Sequence, residues 1–295
     1  MACLALFGLF GSARNRARAA EAKVAVLRSD DITAYNQALA GFKAAFSGTL
    51  TVFDMSRDGD AMTKLRGSHP DLILAIGVRA AKAAAESLLD IPVVFCMVLD
   101  PEANGISGRN VTGVTLAIPV RQQLEEFKRV VPGLARLGVL YNPAKTGAVV
   151  EEARSVASSM GLTLIAEAVA RNDQVPTAMA RLAGKVDGLW LPPDATVVTK
   201  ETFRLALEIS LTRKLPLMVF NSQFVKAGAL LALSPDYGAS GHDAARIVRL
   251  VLAGRKPAEI PVSSTPGTLV INTETAHSLG LDIPAPVLRD AVKVE

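Results

Sequence analysis

Apolar positions along this 295-residue chain fall into two successive series, each alternating short β-branched runs with amphipathic stretches. In the first series, residues 23–28 read as a buried strand. A polar loop from Ser29 to Thr33 follows, then a helix that carries Ala38, Phe42 and Phe46 on one face. Further strands are expected at 50–53, 70–77 and 92–97, with an Ala-rich helix over about 80–89. The run Asn110-Val-Thr-Gly-Val-Thr115 is a β-branched strand broken by Gly113, as suits a bend where the chain leaves a domain. A helix over 120–131 opens the second series, with strands at 137–141, 163–166, 188–191 and 217–220 and helices near 146–160, 174–184 and 199–213. Around 229–234 the chain can return to the first domain, add a helix over 241–253, and cross again near 268–272.

Strands alternating with helices predict parallel sheets covered on both faces. The expected fold class is α/β, with two doubly wound parallel-sheet lobes joined by a three-segment hinge. Lobe 1 takes residues 23–115 and 234–267, and lobe 2 takes residues 116–233 and 268–295. A hinge with a cleft suits the capture of a small molecule.

Composition fits this picture. Half of the residues are hydrophobic, a fifth are charged and only 5% are aromatic, so the core rests on Ala, Val, Leu and Ile. The net charge of +4 is spread along the chain, without the basic stripe or stacking aromatics that nucleic-acid binding requires. Two cysteines, Cys3 and Cys96, form no disulfide framework. Residues 1–22 read as a signal peptide or a disordered N-terminus. Their apolar run is too short to span a bilayer, and Ala20-Glu-Ala22 offers an export cleavage site. The pattern is atypical, because no Lys or Arg precedes the apolar run and Arg14, Arg16 and Arg18 follow it. The localisation it predicts is periplasmic or otherwise extracytoplasmic.

Catalytic and metal motifs are absent from the sequence. His69, His242 and His277 are scattered with no partner at ligand spacing, no serine sits in a G-x-S-x-G elbow, and Gly77-Val-Arg79 is no dinucleotide fingerprint. No enzyme activity, cofactor or metal is therefore expected. What remains is a set of polar groups at the carboxyl ends of strands, where open α/β sheets bind ligands. On the first-lobe side these are Ser29, Asp30, Tyr35, Arg79 and Asp100; on the second they are Tyr141, Asn142, Asp194 and Asn221, with Asp236 and Tyr237 at a later crossing. Such a mixture suits a zwitterion, which needs a carboxylate for its ammonium and an Arg or backbone N–H groups for its carboxylate. Taken singly, Asp30, Asp100 and Asp194 fit helix caps or turns better, and the ligand reading gains force only from their shared location at one edge.

With those strand ends in view, the chain resembles the ABC-transporter substrate-binding proteins of type I periplasmic-binding fold, in the branch that includes tryptophan and tyrosine binders. The most specific pieces are Pro92-Val-Val-Phe-Cys-Met-Val-Leu-Asp-Pro101, Asn110-Val-Thr-Gly-Val114 and Arg136-Leu-Gly-Val-Leu-Tyr-Asn-Pro143. Leu191-Pro-Pro-Asp194, Gly228-Ala-Leu-Leu-Ala232, Asp236-Tyr237, Val270-Ile-Asn272 and Leu279-Gly-Leu-Asp-Ile-Pro284 follow in order. The resemblance implies an extracytoplasmic receptor, monomeric as the family is expected to be, that closes on a small polar ligand such as an amino acid and delivers it to a membrane ABC permease. It implies cleft positions at Asp100, Tyr141, Asn142, Asp194 and Asp236. The turn after the third strand usually carries small or hydroxyl residues that touch ligand. Here it reads Gly77-Val78-Arg79, a departure in which Arg79 either grips a carboxylate or phosphate or faces solvent. The alternative role for the same fold is a ligand-sensing domain of a membrane signalling system.

Overall fold

Residues 22–295 are described in a computed structural model of the chain. The expected signal peptide lies outside the described residues, apart from Ala22. The chain splits into two compact units: residues up to Ala117 with Pro235–Pro266, and Ile118–Ser234 with Gly267–Glu295.

The first unit begins with β1 (Lys23–Arg28), α1 (Thr33–Ala45), β2 (Thr49–Asp54), α2 (Ala61–Gly67), β3 (Leu72–Ile76) and α3 (Val78–Ser87). β4 (Val93–Val98) and β5 (Val111–Thr115) complete its N-terminal part. Its sheet has the order β11-β5-β4-β3-β1-β2, where β11 is the short edge strand Ser263–Ser264. The pairs β1–β2, β1–β3, β3–β4, β4–β5 and β5–β11 are all parallel. Strands β3 and β4 are buried along their whole length, which explains their unbroken apolar runs.

The second unit contains α4 (Val120–Val130), β6 (Arg136–Tyr141), α5 (Pro143–Ser159), β7 (Thr163–Ala168), α6 (Val175–Ala183) and β8 (Gly188–Trp190). Then follow α7 (Lys200–Arg213), β9 (Leu217–Val219), α8 (Ser222–Lys226) and β10 (Leu231–Pro235). After α9 (Tyr237–Leu252) in the first unit, the chain adds β12 (Gly267–Asn272), α10 (Thr273–Leu279), α11 (Ala285–Asp290) and β13 (Val292–Val294). The sheet order is β13-β12-β10-β9-β8-β6-β7, and the pairs β6–β7, β6–β8, β8–β9, β9–β10 and β12–β13 are parallel. In each unit, apolar clusters line both faces of the sheet, so each is a three-layer α/β sandwich.

Several elements begin earlier than the periodicity predicts, for local reasons. Helix α9 starts at Tyr237 rather than Gly241, because the Asp236 carboxylate caps it by accepting from the Ala239 N–H at 2.9 Å. Its glycines, which disfavour a helix by propensity, serve packing against α1. A Cβ on Gly241 would lie 1.8 Å from the Ala38 carbonyl oxygen, and one on Gly41 would lie 2.0 Å from the Gly238 oxygen. The two helices therefore cross with backbones in contact. Helix α5 starts at Pro143, a residue pre-set for the first helical position, and bends at Thr146 with φ −124° and ψ 15°. The short helices α2, α8, α10 and α11 carry too few turns to show a clear period in the sequence.

Candidate functional site

In the first unit, the carboxyl ends of β1 and β3 meet the first turns of α1 and α3. The Ser29 N–H donates to the Ile76 carbonyl at 2.9 Å, and the Ser29 Oγ accepts from the Ala80 N–H at 2.9 Å. This buried hydroxyl thus caps the first turn of α3, where Gly77 has no side chain to do so. Gly77 sits at φ +91°, and a Cβ there would lie 2.6 Å from the Tyr35 Oη and 2.7 Å from the Ser29 Oγ. Both the left-handed backbone and the phenol above it demand glycine.

Tyr35 is half-buried in the first turn of α1. Burial, and after it the Asp30 carboxylate, push its phenol above the ordinary value, while Arg79 pulls the other way. Asp30 is exposed and, among the described residues, accepts only from its neighbour's N–H, at 2.7 Å. Arg79 is exposed too, with Nη1 at 3.4 Å from the Ser29 carbonyl oxygen.

Behind this loop lies a buried ion-pair network. Arg28 donates to Asp54 Oδ2 from Nε at 3.0 Å and from Nη2 at 2.5 Å, and reaches Asp31 at 3.0 Å. Arg57 pairs with Asp31, and Arg28 also donates to Asn36. Burial alone would raise the Asp54 pKa. The Ser56 hydroxyl and amide and the Arg28 guanidinium outweigh it and hold the carboxyl at about 2.

Strand β4 ends irregularly. Its register against β5 shifts between Phe95 and Val98, and Met97 within that bulge has φ +61°. A non-glycine residue in the left-handed region stores strain of about 1–3 kcal/mol. The bulge turns Leu99 and Asp100 outward, both exposed. Asp100 builds its own turn, accepting from the Ala103 N–H at 3.0 Å, while its carbonyl accepts from Asn104 Nδ2 at 2.6 Å. Asp236, also exposed, is the cap of α9 described above.

The second unit gathers its candidates more tightly. Asp194 is 2% exposed, and its carboxylate accepts from four donors. Oδ2 takes the Asn142 N–H at 2.7 Å and the Thr146 hydroxyl at 2.5 Å, and Oδ1 takes the Thr196 N–H at 2.8 Å and the Val197 N–H at 3.3 Å. The Asn142 Oδ1 caps α5 through the Ala144 N–H at 3.0 Å, and its Nδ2 donates to Thr196 Oγ1 at 2.9 Å. Asn221 caps α8, accepting from the Gln223 N–H at 3.0 Å and the Phe224 N–H at 3.3 Å. Tyr141 is half-buried against the core cluster under α4 and α5.

The structure therefore joins Ser29, Tyr35, Gly77 and Arg79 around one turn, and Asn142 with Asp194 around another. It ties Asp100, Asn221 and Asp236 into separate turns or caps. Sequence reading missed Thr146 and Thr196, which complete the Asp194 cluster. A threonine four residues into a helix that opens Asn-Pro was the available signal. It also missed the Met97 bulge, which no residue type announces. Trp190 is fully buried, with its Nε1 donating to Gln123 Oε1 at 3.1 Å. It is committed to the core.

Residues 27–295 match the ABC transporter substrate binding proteins. The chain belongs to that family. A tyrosine-binding protein of Clostridioides difficile is 27% identical over 237 residues, which cover 77% of this chain and 68% of the relative. A domain from Streptococcus pneumoniae, solved in complex with L-Trp, is 26% identical with a TM-score of 0.63, covering 93% of this chain and all of that one. The ligand-free, open structure of a substrate-binding protein with adhesive properties from Clostridium difficile shares the fold. Its TM-score is 0.78 at 23% identity, over 93% of this chain and 99% of that one. This ABC substrate-binding protein thus serves an ABC importer and has the two-lobed α/β fold of type I periplasmic-binding proteins. Its family role is the binding of a small-molecule substrate. Among the described residues, no helix is long and apolar enough to cross a membrane, and no group of three His, Cys, Asp or Glu could hold a metal ion.

Proposed function

We propose that this ABC substrate-binding protein captures an amino acid, or a close relative of one, outside the cytoplasm and hands it to a membrane permease as a monomer, with no covalent step. The observation that carries this reading is the polar equipment at the strand ends of the first unit, where Asp30 and Arg79 put opposite charges beside the Tyr35 phenol. A zwitterion is the ligand such an arrangement fits. The named relatives, a tyrosine binder and a domain bound to L-Trp, support the same class.

In the first unit the ligand-binding edge comprises Ser29, Asp30, Tyr35, Gly77 and Arg79, with Asp100 and Asp236 on the adjoining turns. In the second unit, Tyr141 and Asn221 are the contact residues, and Asn142 and Asp194 hold the turns that present them. Residues 1–22 are the export signal in this reading.

Thermal unfolding in the presence of amino acids, small peptides, sugars and organic anions tests it. A ligand at 100 times its Kd that binds only the folded protein adds about 2.7 kcal/mol, a rise of several degrees in Tm. Stabilisation confined to amino acids supports the reading, whereas stabilisation by sugars alone overturns it.

A further inference from the structure

Two arginines of the first unit sit near the same loop in opposite states. Arg28 is buried and ion-paired with Asp54 and Asp31. Arg79 is exposed and makes no ion pair among the described residues. Its contact with the Ser29 carbonyl, at 3.4 Å, lies at the outer limit of a hydrogen bond. The Tyr35 phenol has no hydrogen-bond partner among the described residues, although its Oη lies 2.6 Å from where a Cβ on Gly77 would sit, a point 2.7 Å from the Ser29 Oγ. The Ser29 Oγ already accepts from the Ala80 N–H, so the charged and phenolic groups open around this turn are the guanidinium, the phenol and the Asp30 carboxylate.

Resting on the reading of this edge as the ligand surface, we propose that Arg79 and Tyr35 together grip a carboxylate of the ligand over Gly77, and that Asp30 receives an ammonium on the same ligand. Arg79 is then the specificity-determining residue for a free carboxylic acid.

The chemistry favours a carboxylate over a phosphate. A guanidinium matches the two oxygens of a carboxylate with a planar fork of donors. A tyrosine phenol is protonated at neutral pH, and burial and the Asp30 charge only move its pKa further up, so it adds an O–H donor toward the anion. Asp30 opposes a dianion beside that phenol while attracting a cation, which selects a zwitterion over a phosphate ester.

The test compares the protein with its R79Q and Y35F variants by titration calorimetry. The ligands are a series of free amino acids, the same compounds as primary amides, and the corresponding decarboxylated amines. Arg79 is exposed, so R79Q keeps the fold, and unfolding curves of both variants establish this directly. The expected result is that the unsubstituted protein prefers the acid over its amide by tenfold or more. R79Q abolishes that preference, a loss of about 1.4 kcal/mol per tenfold, and Y35F reduces it by a smaller factor. Wild-type affinity for the acid in R79Q, or equal binding of acid and amide by the unsubstituted protein, overturns the carboxylate grip and leaves the amino-acid reading standing. No binding of any acid, amide or amine to the unsubstituted protein overturns both.

Discussion

Asp194 and Arg79 each follow the carboxyl end of a strand by a few residues, Asp194 after β8 and Arg79 after β3, yet they end in opposite states. The Asp194 carboxylate is buried and takes four protein donors from the turns after β6 and β8. The Arg79 guanidinium is exposed and holds one marginal contact. A polar residue at a strand end can build the turn or can await a ligand, and its hydrogen-bond accounting separates the two roles. A buried carboxylate with every oxygen occupied has little left to offer a solute. An exposed cation without a counter-charge has its whole capacity available.

Asp194→Ala gives the largest effect. It strands the Asn142 and Thr196 amides, and chemical denaturation should show the second unit losing about 3 kcal/mol. A loss below about 1 kcal/mol joined to weakened ligand binding would break the contrast and return Asp194 to the contact residues.

The buried pair in the first unit sharpens the comparison through pH. Folding lowers the Asp54 carboxyl from 3.8 to about 2. Its contribution is complete above the unfolded value and disappears as pH falls through the folded one, at about 2 kcal/mol in all. Stability curves between those two pH values should fall steeply, and Asp54→Asn should flatten that acid limb.

Asp236→Ala removes the cap of α9 and should cost about 1 kcal/mol in unfolding free energy. Amino-acid affinity measured on the same variant separates capping from contact, because a pure cap leaves affinity unchanged. The smallest stability effect belongs to Arg79→Gln, within about 0.5 kcal/mol of the parent. A larger destabilisation would mean that Arg79 braces the turn through Ser29 instead of facing the ligand.

Much of this was legible in the chain itself. The alternation of β-branched runs with amphipathic stretches gave α/β architecture, because strands and helices carry apolar residues at periods of two and 3.6. The Asn142-Pro143 and Asp236-Tyr237 pairs open α5 and α9, whereas periodicity alone places those helices near 146 and 241. Helix α9 begins four residues before the expected Gly241, and only the crossing with α1 shows why Gly238 and Gly241 are there.

What sequence could not say is which polar residues have partners. Asp194 meets Asn142 and Thr146 across 52 and 48 positions of chain, and Arg28 meets Asp54 across 26. Those pairings depend on strand order, a property of the folded sheet that no local pattern encodes. The sequence by itself determined the elements, the family and the residue types at the strand ends, since these follow from local periodicity and from the order of motifs. Tertiary structure alone decided that Asp194 is closed inside a turn while Arg79 stays free, because desolvation and hydrogen-bond pairing are set by what the fold brings alongside each side chain.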